Sequence, residues 1–146
     1  MKKLGYLSLW LGAVLATTLS CSSSDTNRKE TFPLTGKVLV DGQPVGLIQV
    51  ALHDTAGVDT ENPTFSMTYT KDDGTFALST YDEGDGVPAG DYAVTFMWGQ
   101  LNMLSMQYGG PDKLKGKYSD PKKTPFKIKV EKGKPADLGT VELATS

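Results

Sequence analysis

One cysteine, one histidine and two acidic clusters carry most of the reactive chemistry in these 146 residues. A Cys–His nucleophile–base pair needs both side chains at one site. Cys21 lies well ahead of the patterned part of the chain, so it cannot meet His53 there. Serines are plentiful, yet no Gly-x-Ser-x-Gly elbow occurs. The usual bases and nucleophiles are therefore missing, and the expectation is a protein that is not an enzyme and has no catalytic residue.

Metal chemistry is the next candidate. Asp72, Asp73, Asp82, Glu83 and Asp85 fall in two loops. Calcium takes six to eight oxygens, which such loops can supply. The spacing does not match an EF-hand, and Asp with Gly is what tight turns use anyway. His53, Met97, Met103 and Met106 are soft donors suited to copper. Apolar packing accounts for the methionines more simply. No cofactor and no metal site is expected. Calcium or copper binding by a small-molecule or metal-binding accessory protein of the envelope stands as the alternative function.

The least ordinary stretch is 97–108, Met-Trp-Gly-Gln-Leu-Asn-Met-Leu-Ser-Met-Gln-Tyr. Trp98, Leu101, Met103, Leu104 and Met106 form the candidate contact loop. Two outcomes are open. The side chains fold back and cap the domain, in a helical turn, which is where apolar residues usually end. Or they stay exposed and mark a contact surface. Lys113, Lys115, Lys117, Lys122 and Lys123 follow. Such a basic run can touch anionic lipid or an acidic polymer, but it is more often a solvated face.

The first 21 residues differ from the rest. Lys2 and Lys3 precede an uncharged, almost wholly apolar run, 4–16. That run is shorter than the roughly 20 residues a membrane span needs. A basic start, a short apolar core and small residues at the exit read as a secretory signal peptide over residues 1–20. Thr18-Leu19-Ser20-Cys21 resembles the lipobox read by the lipoprotein signal peptidase, with Thr18 where an aliphatic is usual. That resemblance implies a lipoprotein: cleavage before Cys21, a diacylglycerol thioether on its sulfur and further acylation of the palmitate type. It also explains a lone cysteine that can form no internal disulfide. More than one acyl chain holds a protein stably at a membrane. Ser-rich residues after Cys21 read as a tether, so residues 21–34 are assigned as a lipidated flexible linker.

Removing Lys2 and Lys3 leaves 13 basic against 17 acidic residues, a net of −4. A mildly acidic chain is a poor partner for phosphate backbones, so no nucleic acid is expected.

Residues 35–146 carry strand-like patterning and no helical period. Runs at 36–40, 48–53, 65–70, 75–79, 91–98, 126–130 and 140–143 read as strands. Phe65, Met67 and Tyr69 share one side of theirs. Tyr92, Val94 and Phe96 share one side of the longest run, expected to be central. Asp41-Gly42 is a strong turn pair. Asp72-Asp73-Gly74 is a turn that would join 65–70 and 75–79 as a hairpin. Seven short strands with turns between them point to a β-sandwich.

Several segments together resemble one family. They are Thr35-Gly36-Lys37-Val38-Leu39-Val40-Asp41-Gly42-Gln43-Pro44-Val45, Thr70-Lys71-Asp72-Asp73-Gly74-Thr75-Phe76 and Val87-Pro88-Ala89-Gly90-Asp91-Tyr92-Ala93-Val94. In order and spacing they are similar to the carboxypeptidase regulatory-like domain. Gly116-Lys117-Tyr118-Ser119-Asp120-Pro121 with Thr124-Pro125-Phe126 resembles a tail found in bacterial envelope lipoproteins of this type. The resemblance implies an all-β, seven-stranded, Ig-like or transthyretin-like sandwich. Some transthyretin-like proteins are hydrolases using several histidines and a C-terminal tetrapeptide; this chain, with His53 alone and an end reading Glu142-Leu143-Ala144-Thr145-Ser146, has neither. The expected function is a membrane-anchored lipoprotein of the cell envelope whose sandwich is a non-catalytic binding or structural module. Its partners would be the membrane, through lipid at Cys21, and an envelope protein or glycan.

Overall fold

A computed structural model describes residues 27–146. The expected signal peptide, residues 1–20, and Cys21 lie outside the described residues. Twelve strands run in chain order: β1 (Thr31–Phe32), β2 (Leu34–Val40), β3 (Gln43–Pro44), β4 (Gln49–Asp54), β5 (Ser66–Tyr69), β6 (Thr75–Ala77), β7 (Val87–Pro88), β8 (Gly90–Met97), β9 (Gln100–Asn102), β10 (Gln107–Gly109), β11 (Lys127–Val130) and β12 (Ala136–Leu143). All seven expected strand regions are present, as β2, β4, β5, β6, β8, β11 and β12. The other five have only two or three residues each, too short to show a period of two.

Two sheets enclose the core. One has the order β11-β8-β4-β5, antiparallel throughout. In the other, β2 is flanked by parallel β12 on one edge and by antiparallel β3 and β6 on the opposite edge. Alternation supplies each inner face. Val38 and Val40 of β2, with Val141 and Leu143 of β12, face Val50 and Leu52 of β4 and Val94 and Phe96 of β8 in one buried cluster. This is a β-sandwich.

Local chemistry fixes the geometry. Asp41 (φ 49°) and Gly42 (φ 81°) both take positive φ, the requirement of a two-residue hairpin turn whose twist matches its strands. Gly36 sits on the inner face of β2 because a Cβ there would lie 2.5 Å from the Phe76 ring. The Tyr92 hydroxyl donates to the Pro88 carbonyl at 2.9 Å, pinning the start of β8 to the segment before it. Burial, with the Asp54 charge as a lesser cause, pushes that phenol up to about 12. Segment 111–125 has no strand, yet it inserts Leu114 and Tyr118 into the core. The Tyr118 carbonyl accepts the Phe96 N–H at 3.0 Å, so the basic run is the outer side of a core plug.

Two expectations are corrected. First, β5 and β6 do not form a hairpin. β5 pairs with β4 and β6 with β2, so the turn between them crosses from one sheet to the other. Thr70 holds this crossing: its hydroxyl donates to Val45 O at 2.6 Å and accepts from Ile48 N–H at 3.0 Å. The side of this run that carries Phe65, Met67 and Tyr69 faces outward. Phe65 is 55% exposed, while Ser66 and Thr70 are buried. The inward hydroxyls are satisfied, Ser66 by Thr80 at 2.7 Å, so their burial leaves no unpaired group. Second, the folded part begins ahead of Thr35. β1 pairs with β7, and Phe32 and Leu34 are core residues.

Candidate functional site

Beyond Met97 the chain leaves the sandwich as a small antiparallel hairpin, β9 with β10. Its base is locked by side chain to backbone bonds. The Asp112 carboxylate accepts from the N–H groups of Trp98, Leu114 and Gly116, each at 2.9 Å. Lys113 N–H donates to Trp98 O at 2.9 Å. Tyr108 is the second clamp. Its hydroxyl accepts from Gly99 N–H at 2.7 Å and faces the carbonyl oxygens of Leu47 at 2.7 Å and Met97 at 3.0 Å. Its ring meets Tyr69 edge to face, with centroids 4.7 Å apart. Burial raises the Tyr108 phenol above its ordinary range. Gly99 is required here, since a Cβ would lie 2.8 Å from Gly109 O and 3.1 Å from the Tyr108 ring.

The tip has its own order. Asn102 Oδ1 accepts from the N–H groups of Leu104 (2.9 Å) and Ser105 (3.2 Å), an Asx-type turn. Met106 then takes φ 53°, unusual for a bulky residue.

The two outcomes left open for 97–108 are now separated by residue. Trp98 packs against the core, with the Lys113 ammonium 4.5 Å from its ring centroid. Leu101 is half-buried. Met103, Leu104 and Met106 are 74%, 99% and 69% exposed. The expectation that they cap the sandwich in a helical turn is therefore corrected. Asn102 folds their turn at the far end of a hairpin, away from the core they would have covered. Tyr108, Leu47 and Asp112, which hold the hairpin, were not marked by sequence reasoning. The glycines on either side of the segment, Gly99 and Gly109-Gly110, were the available signal of a hairpin.

Beneath the tip the hairpin encloses a shallow cleft of about 470 Å³, lined by Gln100, Leu101, Asn102, Ser105, Gln107 and Tyr108 with two glycines. No lining side chain is charged.

The other candidates are taken up in structure. Asp85 accepts from Thr80 and Tyr81 N–H groups at 2.7 and 3.1 Å, and Asp73 from the N–H and hydroxyl of Thr75 at 2.9 and 2.6 Å. Asp82 pairs with Arg28 at 2.6 Å. These carboxylates perform turn and surface-pair chemistry. Among the described residues no three His, Cys, Asp or Glu side chains come together as a metal cluster. His53 Nε2 lies 2.9 Å from Thr95 Oγ1 on the outer face of the β4–β8 pair, and burial lowers its pKa.

No family model matches the sequence, and no curated protein matches it. Among solved structures it is similar to a 9R-lipoxygenase from Cyanothece PCC8801 (17% identity, TM-score 0.39; 78% of this chain, 16% of that one). It is also similar to BcpA, the major pilin subunit of Bacillus cereus (13%, TM-score 0.46; 80% and 30%). A third is a DUF3823 family protein from Parabacteroides merdae ATCC 43184 (16%, TM-score 0.38; 80% and 46%). The chain spans less than half the length of each of these proteins.

Proposed function

We propose that this chain is a lipoprotein of the bacterial cell envelope, and that its sandwich is a non-catalytic contact module presenting the β9–β10 hairpin to a partner. The observation that carries this reading is the hairpin tip. Met103, Leu104 and Met106 stand exposed on a base fixed by Asp112 and Tyr108. An apolar tip held on a rigid support is a feature of contact surfaces, because a mobile loop would lose more entropy on docking.

The reading includes a direction. β1 pairs with β7 immediately before β8 begins, and β8 then runs to the hairpin. The point where the chain joins the domain and the hairpin are thus at opposite ends of one eight-residue strand, about 25 Å apart along it. With lipid on Cys21, the tip is carried on the side away from the anchored end. That arrangement favours an envelope protein or glycan over the bilayer as the partner. The order of the sandwich segments and the Tyr92–Pro88 bond, which resembles the tyrosine corner of Ig-like domains, support the carboxypeptidase regulatory-like assignment.

The test is capture from solubilised envelope by the domain 28–146. It is run beside a Met103→Ser, Leu104→Ser, Met106→Ser variant of unchanged thermal midpoint. Capture lost in the variant is expected. Equal capture by both places the contact elsewhere and overturns the reading of the tip.

A further inference from the structure

We propose that the lysines from Lys113 to Lys127 form a binding surface for a linear acidic polysaccharide. The inference rests on the reading of the domain as an envelope contact module, from which it takes the kind of partner, but it concerns a surface other than the hairpin tip.

Charge in this domain is strongly segregated. Residues 112–134 hold nine lysines against three acidic residues, and the other described residues hold four basic side chains against thirteen acidic ones. At physiological salt, charges more than about 8 Å apart are largely screened, so a ligand here meets the local lysines and not the net charge. The lysines toward the anchored end are already answered. Lys132 pairs with Glu30 at 3.5 Å, Lys134 pairs with Glu131 at 2.6 Å, and Lys129 stands opposite Asp91 in register. Lys113, Lys115, Lys117, Lys122, Lys123 and Lys127 remain, all exposed, between the middle of β8 and the hairpin. The acids among them are occupied. Asp112 accepts from three N–H groups, and Asp120 accepts from Lys122 N–H at 2.9 Å and pairs with Lys123 at 3.6 Å. Lys115, Lys122 and Lys127 have no ion pair among the described residues.

These charges are displayed from a fixed backbone, unlike those of a solvated tail. Leu114 is buried between Lys113 and Lys115, Tyr118 after Lys117 and Thr124 after Lys123. The Thr124 hydroxyl donates to Val94 O at 2.7 Å, and the Tyr118 hydroxyl accepts from Ala144 N–H at 3.1 Å. The Lys113 and Lys117 ammonium groups lie 4.5 and 5.6 Å from the ring centroids of Trp98 and Tyr118. Lys115 is held left-handed at φ 56°, uncommon for a residue with a side chain. Lys113 N–H bonds to Trp98 O and Lys127 lies opposite Ala93, so the stretch follows about 17 Å of the β8 edge. That length exceeds one small anion and suits a chain of repeated charges.

Residue type selects among polyanions. The stretch contains no arginine. Arginine pairs a carboxylate bidentately, whereas lysine is a compact, hydrated point charge on a flexible stem. Protein interfaces are enriched in arginine and depleted in lysine, so an acidic protein is served less well. A bilayer is also served less well, because the lysines at the anchored end are the ones already answered. A hydrated glycan with a carboxylate on each sugar needs only point charges spaced along a line.

The experiment is calorimetric titration of the full chain, in a non-ionic detergent, with polygalacturonate, its fully methyl-esterified form and poly-glutamate. Saturable binding of polygalacturonate is expected, with none of the ester. It should weaken about tenfold or more between about 50 and about 200 mM salt. Lys115→Glu, Lys122→Glu, Lys127→Glu is expected to weaken it about tenfold or more. Lys71→Glu, Lys132→Glu, Lys134→Glu carries the same net charge and is expected to change it less than about threefold. Gln at positions 115, 122 and 127 replaces Glu if charge reversal lowers the thermal midpoint. Binding is repeated with the chain in neutral and in phosphatidylglycerol-containing vesicles at physiological salt, and equal binding is expected. No binding at the lower salt, equal binding of the ester, equal affinity in the two triple variants, tighter binding of poly-glutamate, or block by phosphatidylglycerol overturns the proposal. Envelope capture that persists when polygalacturonate binding fails would leave the tip reading standing and remove only this one.

Discussion

The Tyr108 hydroxyl lies 2.7 Å from the carbonyl oxygen of Leu47, a residue 61 positions earlier in the chain. This bond ties the hairpin to the β3–β4 connection at a point where Leu47 is held left-handed at φ 59°. That conformation costs a non-glycine residue about 1–2 kcal/mol. The Leu47 N–H is also fixed, donating to Thr70 O at 2.9 Å. Both peptide groups of the strained residue are thus anchored, one of them by the hairpin.

Replacing Tyr108 by Phe keeps the ring against Tyr69 and removes only the oxygen. Gly99 N–H loses its acceptor, and the Leu47 and Met97 carbonyls lose a donor. The expected cost is about 1–2 kcal/mol, read as a lower urea midpoint at unchanged slope. Amide exchange is the sharper readout. Gly99 N–H, buried in the native protein, should exchange faster in the variant while Val94 and Phe96 in β8 do not. Unchanged protection at Gly99 would show that the hydroxyl does not hold the hairpin.

Gly36→Ala tests the sandwich itself. The added methyl meets the Phe76 ring and lies 3.2 Å from Leu138 Cβ. Phe76 is buried in the core and cannot swing out without leaving a cavity. Overpacking of this kind costs about 1–3 kcal/mol. A thermal midpoint equal to that of the native protein would mean that β6 shifts freely along β2.

Alternation is what made most of the sandwich legible. Tyr92, Val94 and Phe96 repeat every second residue, and that sets which face of β8 meets the core, although Ala93 and Thr95 on the other face are buried as well. On β5 the same rule does not tell which side is buried. Phe65, Met67 and Tyr69 look like a core face, but Ser66 and Thr70 point inward because Thr80, Val45 and Ile48 meet their hydroxyls there. Turn composition at Asp73-Gly74 announced a reversal without saying which sheet the returning strand would join. That choice is made by long-range contacts, Gly36 with Phe76 among them. At the hairpin, the general preference of apolar side chains for the interior pointed the wrong way for Leu104. The backbone bonds of Asn102, which decide the tip, have no hydrophobic signature.

His53 gives a pH dependence with a definite sign. Burial holds its folded pKa below the ordinary 6.5. The unfolded chain therefore binds more protons than the folded one between the two values, and stability rises with pH across that window. His53's full contribution is present above about pH 6.5 and is lost as pH falls through the lowered folded value. The urea midpoint should fall between about pH 7.5 and pH 5.5, and His53→Gln should reduce that fall. Equal slopes for both proteins would assign the acid sensitivity to other groups. Asp59, held down to about 2 mainly by its bond to Lys29, titrates well below this range.

Cys21→Ala tests the anchoring on which the direction of the hairpin depends. If the thioether forms at Cys21, the variant loses its site of acylation and the signal for cleavage before it. Each buried methylene of an acyl chain contributes about 0.8 kcal/mol to membrane affinity, and two or more chains are needed for stable attachment. Among the described residues no helix is long and apolar enough to cross a membrane. Detergent-free fractionation should therefore move the protein out of the membrane pellet, and metabolic labelling with a palmitate analogue should be lost. Persistence in the pellet, with unchanged labelling, would refute the lipobox reading and with it the orientation of the hairpin tip away from the membrane. Persistence without labelling would show that the apolar run at residues 4–16 stays uncleaved and anchors the chain by itself.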